Sequence, residues 1–167
     1  ARRQRQMRIR DSLTTAEKLA ERFTNEKKLI GYMSYKTGPG HNEFSTPEAV
    51  YLEPPMDRVR WQKHTVVLTN RRSYSATNDF VNRMKQLDRV TVIGDKTGGG
   101  SGLPFSSELP NGWSVRFSAS PMYDPDMKHL EFGIKPDKKV DITSEDYNKG
   151  IDTIIEAARE YLHNHKQ

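Results

Sequence analysis

Apolar residues recur along this chain in two periods, and each change of period marks an element. Residues 13–23 read LTTAEKLAERF. Leu13, Ala16, Leu19, Ala20 and Phe23 share one helical face, and Thr14 with Glu17 has the spacing of a capping box, so the pattern predicts a helix over 15–24. LIGYMSYK (29–36) is rich in β-formers and partly alternates, which predicts a strand; AVYLEPP (49–55) predicts a shorter one that stops at two prolines. Between them TGPGHNEFSTPE (37–48) is punctuated as a loop. TVVLTN (65–70) is a near-continuous β-branched run, the pattern of a strand covered on both faces, and VTVIG (90–94) is a second buried strand. Phe80, Val81, Met84 and Leu87 give the segment between them an apolar helical stripe. A strand, a helix and a strand in that order should pair in parallel.

The C-terminal half turns to hairpin patterning. KTGGGSG (96–102) holds four glycines in seven residues and must be a loop. FSSELP (105–110), Asn111-Gly112 and WSVRFSAS (113–120) predict a hairpin closed by a two-residue type I′ turn, with Trp113, Val115, Phe117 and Ala119 on a buried face. PMYDPDMKH (121–129) reads as loop, and EFGIKPDKKVDIT (131–143) as a short strand or extended segment interrupted by Pro136. Ser144 with Asp146 can begin a turn or short helix, and Ile151, Ile154, Ile155, Ala158 and Leu162 mark an amphipathic helix over roughly 148–163. The whole is one α/β domain over 13–167, preceded by a basic arm or truncated edge at 1–12.

Charge changes this picture less than its total suggests. The net charge of +5 comes from the first ten residues, which hold five arginines and no acid. Taking those five from the 27 lysines and arginines leaves as many basic residues as the 22 acidic ones, so the body is formally neutral. No aromatic residue is interleaved with the arginines, which argues against a nucleic-acid partner. No apolar run approaches the roughly 18 residues of a membrane span. Cysteine is absent, and no pair of histidines has metal-ligand spacing, so neither a metal nor a cofactor is expected.

Ser75 is the leading candidate for chemistry. It follows a buried strand and precedes a helix, where free backbone N–H groups and the helix dipole favour negative charge. A serine alkoxide or the oxyanion of a tetrahedral intermediate is stabilised in such a place, with the Ala76 N–H as the natural donor. The alternative is that Ser73, Ser75 or Thr77 merely caps the helix. Gly99 and Gly100, in the glycine loop, would let a substrate backbone approach closely; phosphate binding is the weaker alternative, because the loop lacks a Walker pattern. Of the five histidines, His163 and His165 read as solvated and His64 as a strand end, which leaves His41 and His129 as candidate bases, with Glu131 as a group that could orient one.

Taken together, VVLTNRRSYSATNDF, VTVIGDKTGGG, ELPNGWSVRFS and EFGIKPDKKVDI resemble, in order and spacing, the motifs of the C-terminal processing (tail-specific) serine peptidases, over roughly residues 13–162. The resemblance implies a spiral α/β core of the crotonase and Clp-protease kind, with a mixed sheet and flanking helices. It implies a peptide or unfolded-protein substrate cut through an acyl-enzyme on Ser75, with the Ala76 N–H as an oxyanion donor, and a place in the bacterial envelope or periplasm. The family's lysine base falls at Gly100, and Lys96 does not replace it. The glycine is similar to the tricorn-core branch, whose base is a histidine from an upstream domain supported by a glutamate; Glu131 lies one residue from that glutamate's place. The family's N-G-G-G oxyanion loop has no counterpart in RIRDSLTTAEKL. The resemblance therefore implies an incomplete catalytic core that needs an upstream domain and has little activity alone. A non-catalytic peptide-binding or scaffold module of the same fold is the other reading.

Overall fold

Helix α1 (Leu13–Ala20) tightens into one 3₁₀ turn (Glu21–Phe23) before the chain enters β1 (Lys28–Met33). The computed structural model describes residues 13–56 and 59–165; the arginine-rich arm falls outside them. β1 pairs antiparallel with β2 (Glu48–Leu52) on one side and with β7 (Met122–Tyr123) on the other. Its register shifts between Leu29 and Gly31. Gly31 is required there: at φ 146, a Cβ would meet Tyr123 O at 1.9 Å. The Ile30 carbonyl freed at this bulge accepts from the Asn82 side-chain amide at 2.7 Å.

β3 (Thr65–Thr69) and β4 (Val90–Gly94) pair in parallel, from Thr65 opposite Val90 to Thr69 opposite Gly94, as the periodicity predicts. β8 (Lys138–Lys139) adds to β4, also in parallel. Helix α2 (Ala76–Lys85), the crossover, and helix α4 (Thr153–Asn164) both pack on β3 and β4. The Thr91 hydroxyl donates to Tyr161 Oη at 2.8 Å and ties α4 to β4. The expected cover on both faces of β3 is incomplete. β3 is an edge strand of its sheet, and Leu68 remains 43% exposed. In place of the mixed sheet that the resemblance implies, the described strands form pure sheets, β2-β1-β7 antiparallel and β3-β4-β8 parallel, beside a separate two-stranded antiparallel hairpin.

α2 joins the two halves of the core. Met84 packs with Ala20, Ile30, Leu52 and Leu87, while Val81 packs with Val92, Met122, Leu130 and Ile134. Val67 of β3 touches both clusters. Burying each such side chain contributes about 1.5–3 kcal/mol, so α2 is fixed from both sides before its N-terminus is put to use.

Three expectations for the C-terminal half need correction. β5 (Phe105–Glu108) and β6 (Ser114–Phe117) form the predicted hairpin, but its loop is not a two-residue I′ turn. Leu109 N donates to Trp113 O at 2.7 Å, Gly112 N to Leu109 O at 2.8 Å, and Gly112 has φ 82. That is a three-residue loop whose glycine takes the left-handed position. The apolar face of the hairpin is also not buried: Trp113 is 71% and Phe117 48% exposed. The helix expected over 148–163 begins later, as α4 at Thr153, and the short helix that Ser144 with Asp146 predicts is α3 (Ser144–Asn148). Gly150 at φ 70 separates them, and the Asp152 carboxylate accepts from the backbone N–H groups of Ile154 and Ile155 to start the second.

Candidate active site

The chain leaves β3 through a turn that holds itself together. Ser73 N donates to Asn70 O at 2.9 Å, Arg72 N to Asn70 Oδ1 at 2.9 Å, and Asn70 N to Ser73 Oγ at 3.3 Å. Ser73 is thereby committed to this turn and does not cap α2. Tyr74 next bridges Gly99 in parallel, and Ser75 N donates to Gly99 O at 2.8 Å. Thr77 N closes back on Tyr74 O at 3.2 Å. Ser75 sits at the corner with φ 58 and ψ −127, the first central position of a type II′ turn, where glycine is the ordinary occupant. Ser75 is the N-cap of α2 by position, yet its side chain makes no capping hydrogen bond. The Thr77 hydroxyl is buried and has no partner among the described residues. The cap alternative therefore does not account for any of the three hydroxyls.

The corner opens into a cleft of about 1240 Å³ whose walls include Ser75, Ala76, Gly100 and Glu131. Ala76 occupies the first position of α2, where a helix leaves its N–H without an intrahelical acceptor. Among the described residues nothing else accepts from it. The glycine loop forms the opposite support. Gly98 N donates to Ser73 O at 2.9 Å and Gly100 N to Glu131 O at 3.1 Å. Gly100 faces the cleft, whereas Gly99 is buried behind Ser75; a Cβ on Gly99 would lie 1.9 Å from Glu131 O.

Glu131 reaches the cleft from a 3₁₀ turn (Leu130–Phe132), and a buried polar network holds that turn to α2. The Asn78 amide donates to Ser101 Oγ at 2.7 Å and to Leu130 O at 3.1 Å. Its oxygen accepts from the Thr97 hydroxyl at 2.6 Å, which in turn accepts from Ile134 N at 2.6 Å. Asn78 and Thr97 are both fully buried. Sequence reasoning missed Asn78, Thr97 and Ser101, because nothing local distinguishes them from solvated polar residues. Glu131 Oε2 is buried and has no hydrogen-bond partner among the described residues. A carboxylate oxygen in that state is placed to accept from a group that arrives.

No described histidine joins Ser75. The ring of His129 lies between Tyr123 and Phe132, and its Nδ1 accepts from Glu131 N at 3.1 Å. His129 and Lys96 line a separate cavity of about 450 Å³ that does not include Ser75. His41 sits in an exposed loop, and His165 stacks on Tyr161 at the end of α4. Of the expected candidates, Ser75, Ala76, Gly100 and Glu131 meet in one cleft, and neither candidate histidine does. Beside the cleft, the Asp95 carboxyl is held below its ordinary range by the Lys96 backbone N–H and, against the opposing effect of burial, by the Arg71 guanidinium at 3.1 Å. Among the described residues no group of three potential ligands could hold a metal ion, and no helix is long and apolar enough to cross a membrane.

The chain is similar to several known proteins. A candidate peptidase from Parabacteroides merdae is similar in structure at a TM-score of 0.86 and 62% sequence identity, over 90% of this chain and 48% of that one. Mature CPAF shares the fold, at a TM-score of 0.76 and 15% identity, over 93% of this chain and 42% of that one. An uncharacterized protein from Chlamydia muridarum is 32% identical over 80 residues, which is 46% of this chain and 13% of the relative. The chain thus spans about half the length of the solved structures it matches and a smaller part of that relative. The model of peptidase family S41 matches residues 11–140, a stretch that holds the serine corner, the glycine loop and Glu131, and the chain belongs to that family.

Proposed function

We propose that this chain is the nucleophile-bearing core of a serine endopeptidase that cuts peptides or unfolded segments through an acyl-enzyme on Ser75. One observation carries the reading. Ser75 is held at φ 58 on a helix N-terminus, with its side chain free of capping bonds and on the wall of an open cleft. Strain of about 1–3 kcal/mol at one backbone position persists only where the surroundings enforce it, and such positions concentrate at active sites.

In this mechanism Ser75 Oγ attacks the scissile carbonyl carbon and gives up its proton to a general base. The carbonyl oxygen becomes an oxyanion facing the Ala76 N–H, at the positive end of α2. Collapse of the tetrahedral intermediate breaks the C–N bond, the amine leaves with the proton, and an ester on Ser75 remains for water to hydrolyse. Glu131 would orient the base and stabilise its charged form; its unpartnered Oε2 supports that role. Gly100 would let the substrate backbone pass close to the serine, with Gly99 supporting it from behind. The base is proposed to be a histidine from an upstream domain of a longer polypeptide, which would also supply the second oxyanion donor. The spiral crotonase-type core and the envelope location belong to the same proposal.

A second reading, a peptide-binding module without catalysis, is favoured by one observation: neither His41 nor His129 lines the serine cleft. A fluorophosphonate probe separates the two. Labelling at Ser75 in the full-length polypeptide, lost in Ser75→Ala, supports the peptidase. Absence of labelling there supports the module. The present chain alone should hydrolyse peptides little or not at all; turnover by it that Ser75→Ala abolishes would refute the need for an upstream base.

A further inference from the structure

The serine cleft carries a charge pattern that the proposed chemistry does not require. Among the described residues Arg71, Arg72 and Arg116 line it, against one carboxylate, Glu131. The turn that holds Arg71 and Arg72 is closed by Asn70 and by Ser73, through backbone groups and their own side chains. Arg71 is 66% exposed while it pairs with Asp95 at 3.1 Å, which steadies its guanidinium at the mouth of the cleft. Arg116 comes from a different element, β6, opposite Ser106, and forms no ion pair with any described residue. Its strand is anchored to the glycine loop, because Ala119 N and Ser120 N both donate to Gly102 O, at 2.8 and 2.9 Å. Two separately anchored elements therefore present cations to the same space.

We infer that the Ser75 cleft selects peptides with an aspartate or glutamate side chain near the bond presented to the serine, the carboxylate being received by Arg71, Arg72 and Arg116. A guanidinium matches a carboxylate through two parallel N–H donors, which a lysine ammonium cannot do. Like-signed groups around one concave surface reinforce each other's field and raise the local concentration of anions. Glu131 sets the polarity within the site: an anion is repelled from the Glu131 side and drawn to the side of the arginines. The same carboxylate argues against a nucleic acid, which would bring a row of phosphates past it. The inference rests on the proposed peptide ligand and holds for the catalytic and the non-catalytic reading alike.

The test uses the full-length polypeptide with Ser75→Ala, so that binding is read without turnover. Fluorescein-labelled peptide pairs that differ only by Asp against Asn, or Glu against Gln, are titrated by anisotropy. The acidic member should bind about tenfold more tightly, as three exposed charge pairs acting together allow. The preference should shrink when salt is raised from about 0.05 to 0.5 M, since screening shortens to a few ångströms. It should fall to about threefold or less in Arg116→Gln and vanish in the triple variant Arg71→Gln/Arg72→Gln/Arg116→Gln, with the affinity for the neutral peptide retained as the check on folding. Equal affinity for both members, or a preference that survives the triple variant, would overturn the inference. So would an oligothymidylate that binds more tightly than the acidic peptide. Fluorophosphonate labelling of the protein with Ser75 intact is scored separately: its failure beside an intact acidic preference sinks the peptidase reading and leaves this one standing.

Discussion

Replacing Ser75 by glycine should make the protein more stable than replacing it by alanine, although both destroy the nucleophile. The comparison isolates one methyl group at φ 58 and ψ −127. Any Cβ there carries a backbone cost of about 1–3 kcal/mol, which glycine escapes. Glycine in turn enlarges the conformational freedom of the unfolded chain, which costs about 0.5–1 kcal/mol. Neither variant loses a capping bond, because Ser75 makes none. The difference should therefore favour glycine by about 1 kcal/mol, or roughly 2–4 °C in Tm for a domain of this size. Urea denaturation followed by tryptophan fluorescence and circular dichroism measures it, with an unchanged m-value required for the comparison. If the alanine variant proves more stable than the glycine variant, the corner is not strained, and the observation that supports a nucleophile at Ser75 fails with it.

Three further perturbations address the supports of the site. Asn78→Ala strands the partners of three buried hydrogen bonds, at about 1 kcal/mol each, and should cost about 3 kcal/mol in urea denaturation; a loss below about 1 kcal/mol would mean the network is dispensable. Gly99→Ala sets a Cβ 1.9 Å from Glu131 O, so the Glu131 turn must move away; Ser75 labelling should fall by at least about tenfold while the far-UV spectrum is kept, and full labelling would contradict the role of that contact. Asp95, whose folded pKa lies below its unfolded value, contributes stability that is fully present above about pH 4 and is lost as pH falls through the folded pKa. Asp95→Asn should accordingly lower stability near neutrality and flatten the acid limb of the stability profile; an acid limb identical to that of the parent would rule out this carboxylate as a contributor.

What could be read from the sequence was set by the range of the forces involved. β3, α2 and β4 follow from local periodicity, and the parallel pairing from the connection between them, so Ser75 could be located as a residue between a strand and a helix. Its backbone conformation could not be, because φ 58 is imposed by Gly99 and Tyr74 acting from two directions. The hairpin shows the limit of alternation: Trp113, Val115 and Phe117 do share a face, but alternation does not say whether anything covers it. The start of α4 is written in Gly150 and Asp152, a stop followed by a cap, whereas apolar spacing alone places it about five residues too early. The network around Asn78 was out of reach for a different reason. Its partners stand 19, 23 and 52 residues away, and a polar residue buried in a satisfied network has the same letter as one in water.

The Thr97 hydroxyl has one proton to give, and that proton goes to Asn78. Its oxygen is then left to receive Ile134 N, and the amide of Asn78 must turn its nitrogen toward Ser101 and Leu130. Every donor in the chain points one way, so the set has a single permitted orientation. An aspartate at 78, a valine at 97 or an alanine at 101 each removes a different link, and none can be compensated by rotating another. The consequence is an expectation of co-variation: a homologue that changes one of these positions should be found to have changed its neighbours in the set as well.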